Sequence, residues 1–140
     1  MILTNKAKYA TIAVIEILES GDKPTSLSSI ALTQNISLSF LEQIFSSLKK
    51  EGIVKSVRGA SGGYILAQDP ENIKVLDVIT AVDEQVKMTR CATKDGCIGK
   101  GIKCKTHNLW KGLEKNIHTY LSGISIASFK QEEDAKNLFR

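Results

Sequence analysis

Apolar residues in the N-terminal part of the chain recur every three or four residues in three separate stretches. The stretches cover Asn5–Glu19, Ser28–Gln34 and the region between Ile36 and Gly52. Residues at this period lie on one face of an α-helix, so the pattern predicts three amphipathic helices that share a core. Ser20-Gly21 and Gly52 are the expected stops after the first and third helices.

The start of the third predicted helix carries two candidate caps. Ser37 and Ser39 can each accept a hydrogen bond from an N–H group of the first turn. Ser39 with Glu42 also matches the S-x-x-E capping box. The predicted buried stripe of this helix consists of Leu41, Ile44, Phe45 and Leu48.

The pattern then changes to strands and returns to helices. Ile53–Val57 and Tyr64–Ala67 flank the glycine-rich segment RGASGG, which predicts a β-hairpin that Pro70 ends. Branched apolar residues then space out a fourth helix that reaches Val86. A fifth, longer helix ends at Gly123 and is marked by Trp110, Leu113, Ile117, Tyr120 and Leu121. The charged residues that follow are expected to be frayed.

Three helices followed by a hairpin is the order of a winged helix-turn-helix, in which the third helix enters the DNA major groove. Exposed Gln, Glu and Ser side chains on that helix can pair with base edges, lysines can contact phosphates, and Arg58 at the hairpin tip can enter a narrow minor groove. The candidates are Ser37, Ser39, Phe40, Glu42, Gln43, Lys49, Lys50, Lys55 and Arg58. Two alternatives stay open: Glu42 is a helix cap, and the whole pattern is a small helical domain with an ordinary hairpin.

The only three cysteines of the chain and one of its two histidines lie in the stretch CATKDGCIGKGIKCKTH. Few large apolar residues lie between the cysteines, so burial cannot organise this loop. Three thiolates and an imidazole suit a thiophilic metal or an iron–sulfur centre. The candidate ligands are Cys91, Cys97, Cys104 and His107.

The spacing C-x5-C-x6-C-x2-H matches neither paired zinc knuckles nor plant-type ferredoxins, so the residues alone leave iron–sulfur, zinc and redox thiols open. Cys104 and His107 are expected on one face at the start of the fifth helix, where the helix N-terminus favours thiolate. His118, further along, is expected on the surface. The segment Cys91–Ile124 holds six lysines and two acidic residues, which is the whole net charge of +4. This charge suits an anionic cluster and equally a solvated loop.

Other features exclude several classes of protein. No apolar run approaches the roughly 18 residues of a membrane span, and Met1–Ala10 lacks a signal-peptide core, so we expect a cytoplasmic protein without membrane contact. An odd number of cysteines in a reducing compartment argues against a disulfide framework. A cysteine-dependent enzyme is the alternative from another class, but no acid–base partner can be identified, so we expect no enzymatic activity.

The chain resembles a winged-helix family of bacterial iron–sulfur transcription regulators. The likeness runs from Leu3-Thr4 to about Phe129 and rests on three segments: ISLSFLEQIFSSLKKEGIVKSVRGASGGYIL, VITAVDE and CATKDGCIGKGIKCKTHNLWKGL. The resemblance implies that the recognition-helix positions are Ser39, Glu42 and Gln43, and that Arg58-Gly59 belong to the DNA-contacting wing. Phe40 stands where the family often has Tyr, and Ala60-Ser61 replace a more glycine-rich wing.

The resemblance also implies a homodimer joined through the long helix, by Trp110, Leu113, Ile117, Tyr120 and Leu121. Each subunit would hold one [2Fe-2S] cluster through Cys91, Cys97, Cys104 and His107, with the iron–sulfur assembly machinery as cluster donor. The expected divisions are a winged helix-turn-helix (1–70), a connecting helix (71–90), a cluster-binding loop (91–107), a dimerisation helix (108–123) and a C-terminal tail (124–140). The expected fold class is mainly α with a small β-hairpin.

We therefore expect a repressor or activator that binds double-stranded promoter DNA, senses iron–sulfur status and controls iron–sulfur assembly or iron homeostasis genes. One alternative is a nitric-oxide or redox sensor on the same scaffold. Another is a cluster-free or zinc-stabilised DNA-binding module.

Overall fold

The structure is a computed structural model that describes residues 4–82 and 102–130. Its first three helices are α1 (Asn5–Glu19), α2 (Leu27–Gln34) and α3 (Leu38–Lys50). Each begins after a hydroxyl residue whose side chain accepts a hydrogen bond from an N–H three positions later. The capping residues are Thr4, Ser26 and Ser37.

The start of α3 is set by the turn that follows α2. Asn35 ends α2 in the left-handed conformation, with φ 52°, which asparagine tolerates better than most residues. The N–H of Ile36 then bonds to Ala31 O at 3.0 Å, and Ser37 becomes the N-cap of α3. The capping box expected at Ser39 and Glu42 is therefore wrong, because the third helical residue after Ser37 is Phe40.

An antiparallel hairpin of β1 (Val54–Val57) and β2 (Gly63–Leu66) follows, within one residue of the predicted strands. The hairpin is joined to the residue before the α2 cap, because Thr25 and Tyr64 exchange two backbone hydrogen bonds of 3.0 and 2.8 Å. Gly63 allows this approach, since a Cβ there would lie 2.4 Å from Thr25 O. The order of helices and hairpin confirms the predicted fold class.

The core lies between α1, α3, the hairpin and the helix α4 (Val75–Ala81). The predicted stripe of α3 is confirmed, because all four of its residues are 0% exposed: Leu41, Ile44, Phe45 and Leu48. On α1, alanines at 7, 10 and 13 are also buried, and these short side chains allow close approach of its neighbours. The continuation of the fourth helix to Val86 lies outside the described residues.

Helix α5 covers His107–Ser122, and the chain then returns to the core. Val75 N donates to Ile124 O at 2.9 Å and Ile126 N donates to Ile73 O at 2.8 Å, so residues 124–126 pair with residues 73–75. Ile126 is 0% exposed and opens a 3-10 helix that reaches Lys130. The expectation of a frayed tail is wrong for residues 124–130, because apolar burial and backbone pairing hold them.

Ile126→Ala should lower the free energy of unfolding by about 2–5 kcal/mol, since it leaves a cavity in a packed core. Leu32→Ala is the matched control, because Leu32 is 86% exposed on α2 and its truncation should change stability by less than about 0.5 kcal/mol. Urea unfolding of both variants at one protein concentration measures the difference. Equal stability of the two variants would show that the segment after α5 adds nothing to the core.

Candidate DNA-binding surface and metal-ligand turn

The exposed face of α3 begins at its cap. The hydroxyls of Ser37 and Ser39 lie 2.9 Å apart and both residues are exposed. Glu42 and Gln43 follow on the same exposed side, and their side chains make no hydrogen bond with the described part of the chain. Because Ser37 performs the capping, the carboxylate of Glu42 is available for contacts outside the chain. This removes the alternative that Glu42 serves as the cap.

Phe40 differs from the exposed side chain that the sequence pattern predicted. It is half-buried, and its ring meets that of Tyr9 edge to face with centroids 6.0 Å apart. This contact fixes the first turn of α3 against α1. A DNA contact by Phe40 stays a prediction, and only its exposed part is available for one.

Three lysines lie in the last turn of α3 and in the first strand of the hairpin. Lys49, Lys50 and Lys55 are all exposed, and Lys49 Nζ donates to Ser56 Oγ at 3.2 Å. That hydrogen bond joins the last turn of α3 to β1. The ammonium groups thus form a basic edge beside the exposed face of α3, as expected for residues that contact phosphates.

The hairpin tip has a backbone that requires glycine. Gly59 has φ 123°, a conformation that side chains rarely adopt, and Gly62 N bonds to Gly59 O at 3.0 Å. A Cβ at Gly62 would lie 2.3 Å from Val57 O. This tight turn leaves Arg58 exposed at the tip, where its side chain can reach beyond the domain surface.

The candidate metal-ligand turn, Cys104–His107, lies at the start of α5. His107 is the first helical residue and is 7% exposed, whereas Cys104 is half-buried. The N–H of His107 donates to Cys104 O at 3.1 Å, so one backbone turn brings the two candidate ligands together. His118 is exposed, as expected.

Cys91 and Cys97 lie outside the described residues, so their place beside this turn stays a prediction. Within 4–82 and 102–130, no group of three or more His, Cys, Asp or Glu side chains converges on one point. The soft sulfur of Cys104 and the imidazole of His107 would supply two of the four donors predicted for a thiophilic metal or an iron–sulfur centre.

Sequence reasoning missed Thr106, which lies between the two candidate ligands. Its hydroxyl oxygen is 3.5 Å from Cys104 Sγ and 3.0 Å from Trp110 Nε1. Both partners belong to the segment CKTHNLW, so the sequence contained the neighbours without indicating the contact.

The outer face of α5 carries apolar side chains that the described part of the chain covers only partly. Of the predicted dimerisation residues, Trp110, Ile117 and Leu121 are half-buried, whereas Leu113 and Tyr120 are 37% and 54% exposed. Leu109 is 61% exposed on the same helix and was not predicted. His107 is the only buried residue of this helix.

A helix-turn-helix with an exposed first turn, a basic edge and an arginine-tipped hairpin defines a winged-helix DNA-binding protein. The chain belongs to the Rrf2 family, described as iron-dependent transcriptional regulators, whose model matches residues 3–132. The predicted resemblance is therefore confirmed.

Similar proteins are named as regulators. The chain is 48% identical over 135 residues to the HTH-type transcriptional regulator IscR of Yersinia pestis and 47% identical to that of Serratia proteamaculans, covering 96% of this chain and 82% of each relative. The solved structure of T. potens IscR is 36% identical with a TM-score of 0.76, and covers 96% of this chain and 88% of its own. CymR, the global cysteine regulator of B. subtilis, is 29% identical with a TM-score of 0.79, over 93% and 96% of the two chains.

These relatives are transcription regulators rather than enzymes, and the prediction of a DNA-binding regulator is confirmed at that level. Within the described ranges, no helix combines the length and apolarity that crossing a membrane requires.

Glu42→Ala should change which DNA sequences are bound more than it changes overall affinity. A carboxylate in the groove is repelled by phosphates and guanine O6 unless a donor such as cytosine N4 meets it, so its removal should admit new sites. Selection from a random DNA pool measures the change. Ser37→Ala is the contrast: it should lower the free energy of unfolding by about 0.5–2 kcal/mol through loss of the cap, whereas Glu42→Ala should not. An unchanged motif after Glu42→Ala would exclude a role in base recognition.

Arg58→Ala should weaken binding to cognate DNA by about 1–3 kcal/mol and relax the preference where the minor groove is narrow. Lys130→Ala is a control that removes the same charge from the segment after α5, and it should leave binding nearly unchanged. Titrations at several salt concentrations measure both effects. An equal loss on every DNA sequence, with a shallower salt dependence, would make Arg58 a phosphate contact.

Proposed function

We propose that this chain is a cytoplasmic, homodimeric regulator whose DNA binding responds to a [2Fe-2S] cluster, one per subunit. The cluster would be held by Cys91, Cys97, Cys104 and His107 and supplied by the iron–sulfur assembly machinery. Its target promoters would control iron–sulfur assembly or iron homeostasis. The observation that carries the proposal is the turn at the start of α5, where a backbone hydrogen bond from His107 N to Cys104 O joins a residue with a half-buried thiol to one with a buried imidazole.

The donor set fits such a group by its chemistry and its charge. A diferric two-iron, two-sulfide core with three thiolates and a neutral imidazole carries a charge of −1. Lys103 and Lys105 flank Cys104 and are exposed, which adds positive charge beside the turn. The family's description as iron-dependent, and the relatives named IscR, agree with an iron centre here.

The cluster would supply one-electron chemistry and a bond network that closes the loop. The protein's own contribution is to hold the ligands. The N-terminus of α5 favours the thiolate of Cys104, and burial of His107 at the first helical residue restricts where its imidazole can lie.

The apolar face of α5 supports a homodimer. Leu109, Leu113 and Tyr120 are exposed along a helix that also carries three half-buried apolar residues. A second copy of the same helix would cover this face, since two-fold dimers use the same surface on both subunits. Dimers place two recognition helices one helical turn apart on DNA, as a palindromic operator requires.

A route from the cluster to the DNA is available along α5. The ligand turn lies at its first residue, and its other end leads into residues 124–126, which pair with the start of α4 beside α1. Cluster occupancy would shift the position of α5, and this pairing would pass the shift to the helices that support α3.

A redox-sensing regulator without a cluster is the second candidate. One relative in this fold, the CymR of Staphylococcus aureus, has a structure described as an oxidized form, at 25% identity and a TM-score of 0.73. Thiol oxidation in place of cluster binding would use the same cysteines.

The visible spectrum of anaerobically purified protein, with iron and sulfide analysis, tests the proposal. We expect charge-transfer bands and two irons per chain, and Cys104→Ala should remove both while the helices stay folded by circular dichroism. A colourless protein that forms disulfides reversibly would favour the second candidate. Sedimentation of the same sample should give a dimer.

His107→Cys should retain a two-iron cluster with one more negative charge and therefore a lower reduction potential. Rieske centres agree with this direction, because two histidines in place of two cysteines raise their reduction potential. Thiolate binds iron(III) more strongly than a neutral imidazole does, so the variant should also lose iron to a chelator more slowly. Anaerobic titration and timed chelation measure both quantities. His118→Ala, on the same helix, should match the native protein, and native values for His107→Cys would mean that His107 is not a ligand.

A further inference from the structure

The hydroxyl of Thr106 occupies a position between a candidate cluster ligand and the only tryptophan of the chain. Thr106 Oγ1 lies 3.5 Å from Cys104 Sγ and 3.0 Å from Trp110 Nε1. Sulfur is a large atom, and 3.5 Å is an ordinary hydrogen-bond distance to it. One oxygen therefore connects the indole to the thiol.

The Thr106 hydroxyl does not cap its helix, in contrast to the hydroxyls at the starts of α1, α2 and α3. Thr4, Ser26 and Ser37 each accept a hydrogen bond from the first turn of their helix. Thr106 is the N-cap of α5, but its side chain makes no capping hydrogen bond. Its hydroxyl faces Cys104 and Trp110 instead.

The direction of the two hydrogen bonds follows from the donor and acceptor groups. An indole N–H can only donate, so Thr106 Oγ1 must accept from Trp110. The single proton of the hydroxyl is then available for Cys104, whose thiolate can only accept. Donation from Trp110 polarises the hydroxyl and strengthens its own donation to sulfur.

We propose that Thr106 is a positioning residue that donates a hydrogen bond to the Cys104 thiolate, with Trp110 fixing the orientation of its hydroxyl. This inference rests on the proposed function, in which Cys104 holds the cluster. A hydrogen bond to a ligand sulfur withdraws electron density from it and favours the reduced state, so it raises the reduction potential. The relay from Trp110 through Thr106 to Cys104 thus sets how easily the cluster accepts an electron.

The first test is an anaerobic redox titration of the cluster-loaded protein, in which dithionite supplies one electron per cluster. Thr106→Val removes the hydroxyl with little change of shape, and we expect the equilibrium constant for reduction to fall about tenfold, which is a potential lower by about 59 mV. Thr106→Ser retains the hydroxyl and should restore the native potential. Trp110→Phe should shift the potential in the same direction by less.

Thr119→Val is the matched control, since it removes a threonine hydroxyl from the same helix away from the ligand turn. It should leave the potential unchanged. An unchanged potential in Thr106→Val would overturn the proposal. So would a potential in Thr106→Ser as low as that in Thr106→Val, because the methyl group rather than the hydroxyl would then matter.

The second test uses the reduced protein without iron, so it does not depend on the cluster. Trp110 is the only tryptophan, and its fluorescence emission reports on the bond from Nε1. Cys104→Ala should change this emission through Thr106. In a protein that already carries Thr106→Val, adding Cys104→Ala should cause no further change in emission. Additive effects would overturn the relay. A wild-type protein that takes up no iron would overturn the proposed function, and the fluorescence cycle would then decide the relay alone.

Discussion

The pairing of residues 73–75 with residues 124–126 is the contact on which the arrangement of the other elements depends. Two backbone hydrogen bonds of 2.8 and 2.9 Å join the segments, and Ile73 and Ile126 are buried at 1% and 0% exposure. Within the described ranges, this pairing attaches the far end of α5 to the helical core. A helix of 16 residues is roughly 24 Å long, so α5 spans that distance between the turn at Cys104–His107 and the paired segments.

The local elements of the fold followed from the sequence because each is specified by nearby residues. The stripe on α3 is fully buried as predicted, and the hairpin strands differ by one residue from their predicted bounds. The residue that caps α3 could not be predicted, since Ser37 and Ser39 can each accept a hydrogen bond from the first turn of the helix. The left-handed conformation of Asn35 decides between them, and only the packing of α2 against α3 reveals it.

Contacts between segments distant in sequence were beyond prediction. Ile126 has no periodic neighbours to indicate burial, and its partner Ile73 lies far away along the chain. The half-buried state of Phe40 depends on the distance of Tyr9 on α1. At the ligand turn, the spacing indicated metal or cluster chemistry and left the metal open. The contacts of the Thr106 hydroxyl could not be inferred, because a threonine before a helix predicts a cap and the sequence does not indicate how the Trp110 ring is oriented.

The two backbone hydrogen bonds between Thr25 and Tyr64 have a consequence for the DNA that such a protein can use. They attach the hairpin to the residue before the α2 cap, and α2 in turn packs on α3. The exposed face of α3 and the hairpin tip are therefore held at a fixed separation, which would set the distance between a major-groove contact and a minor-groove contact. One added base pair rotates the duplex by about 34°, since a helical turn contains 10–10.5 base pairs. For the dimer proposed above, an operator could thus change its bases by substitution within a half-site, whereas insertions and deletions could be accommodated only between the two half-sites.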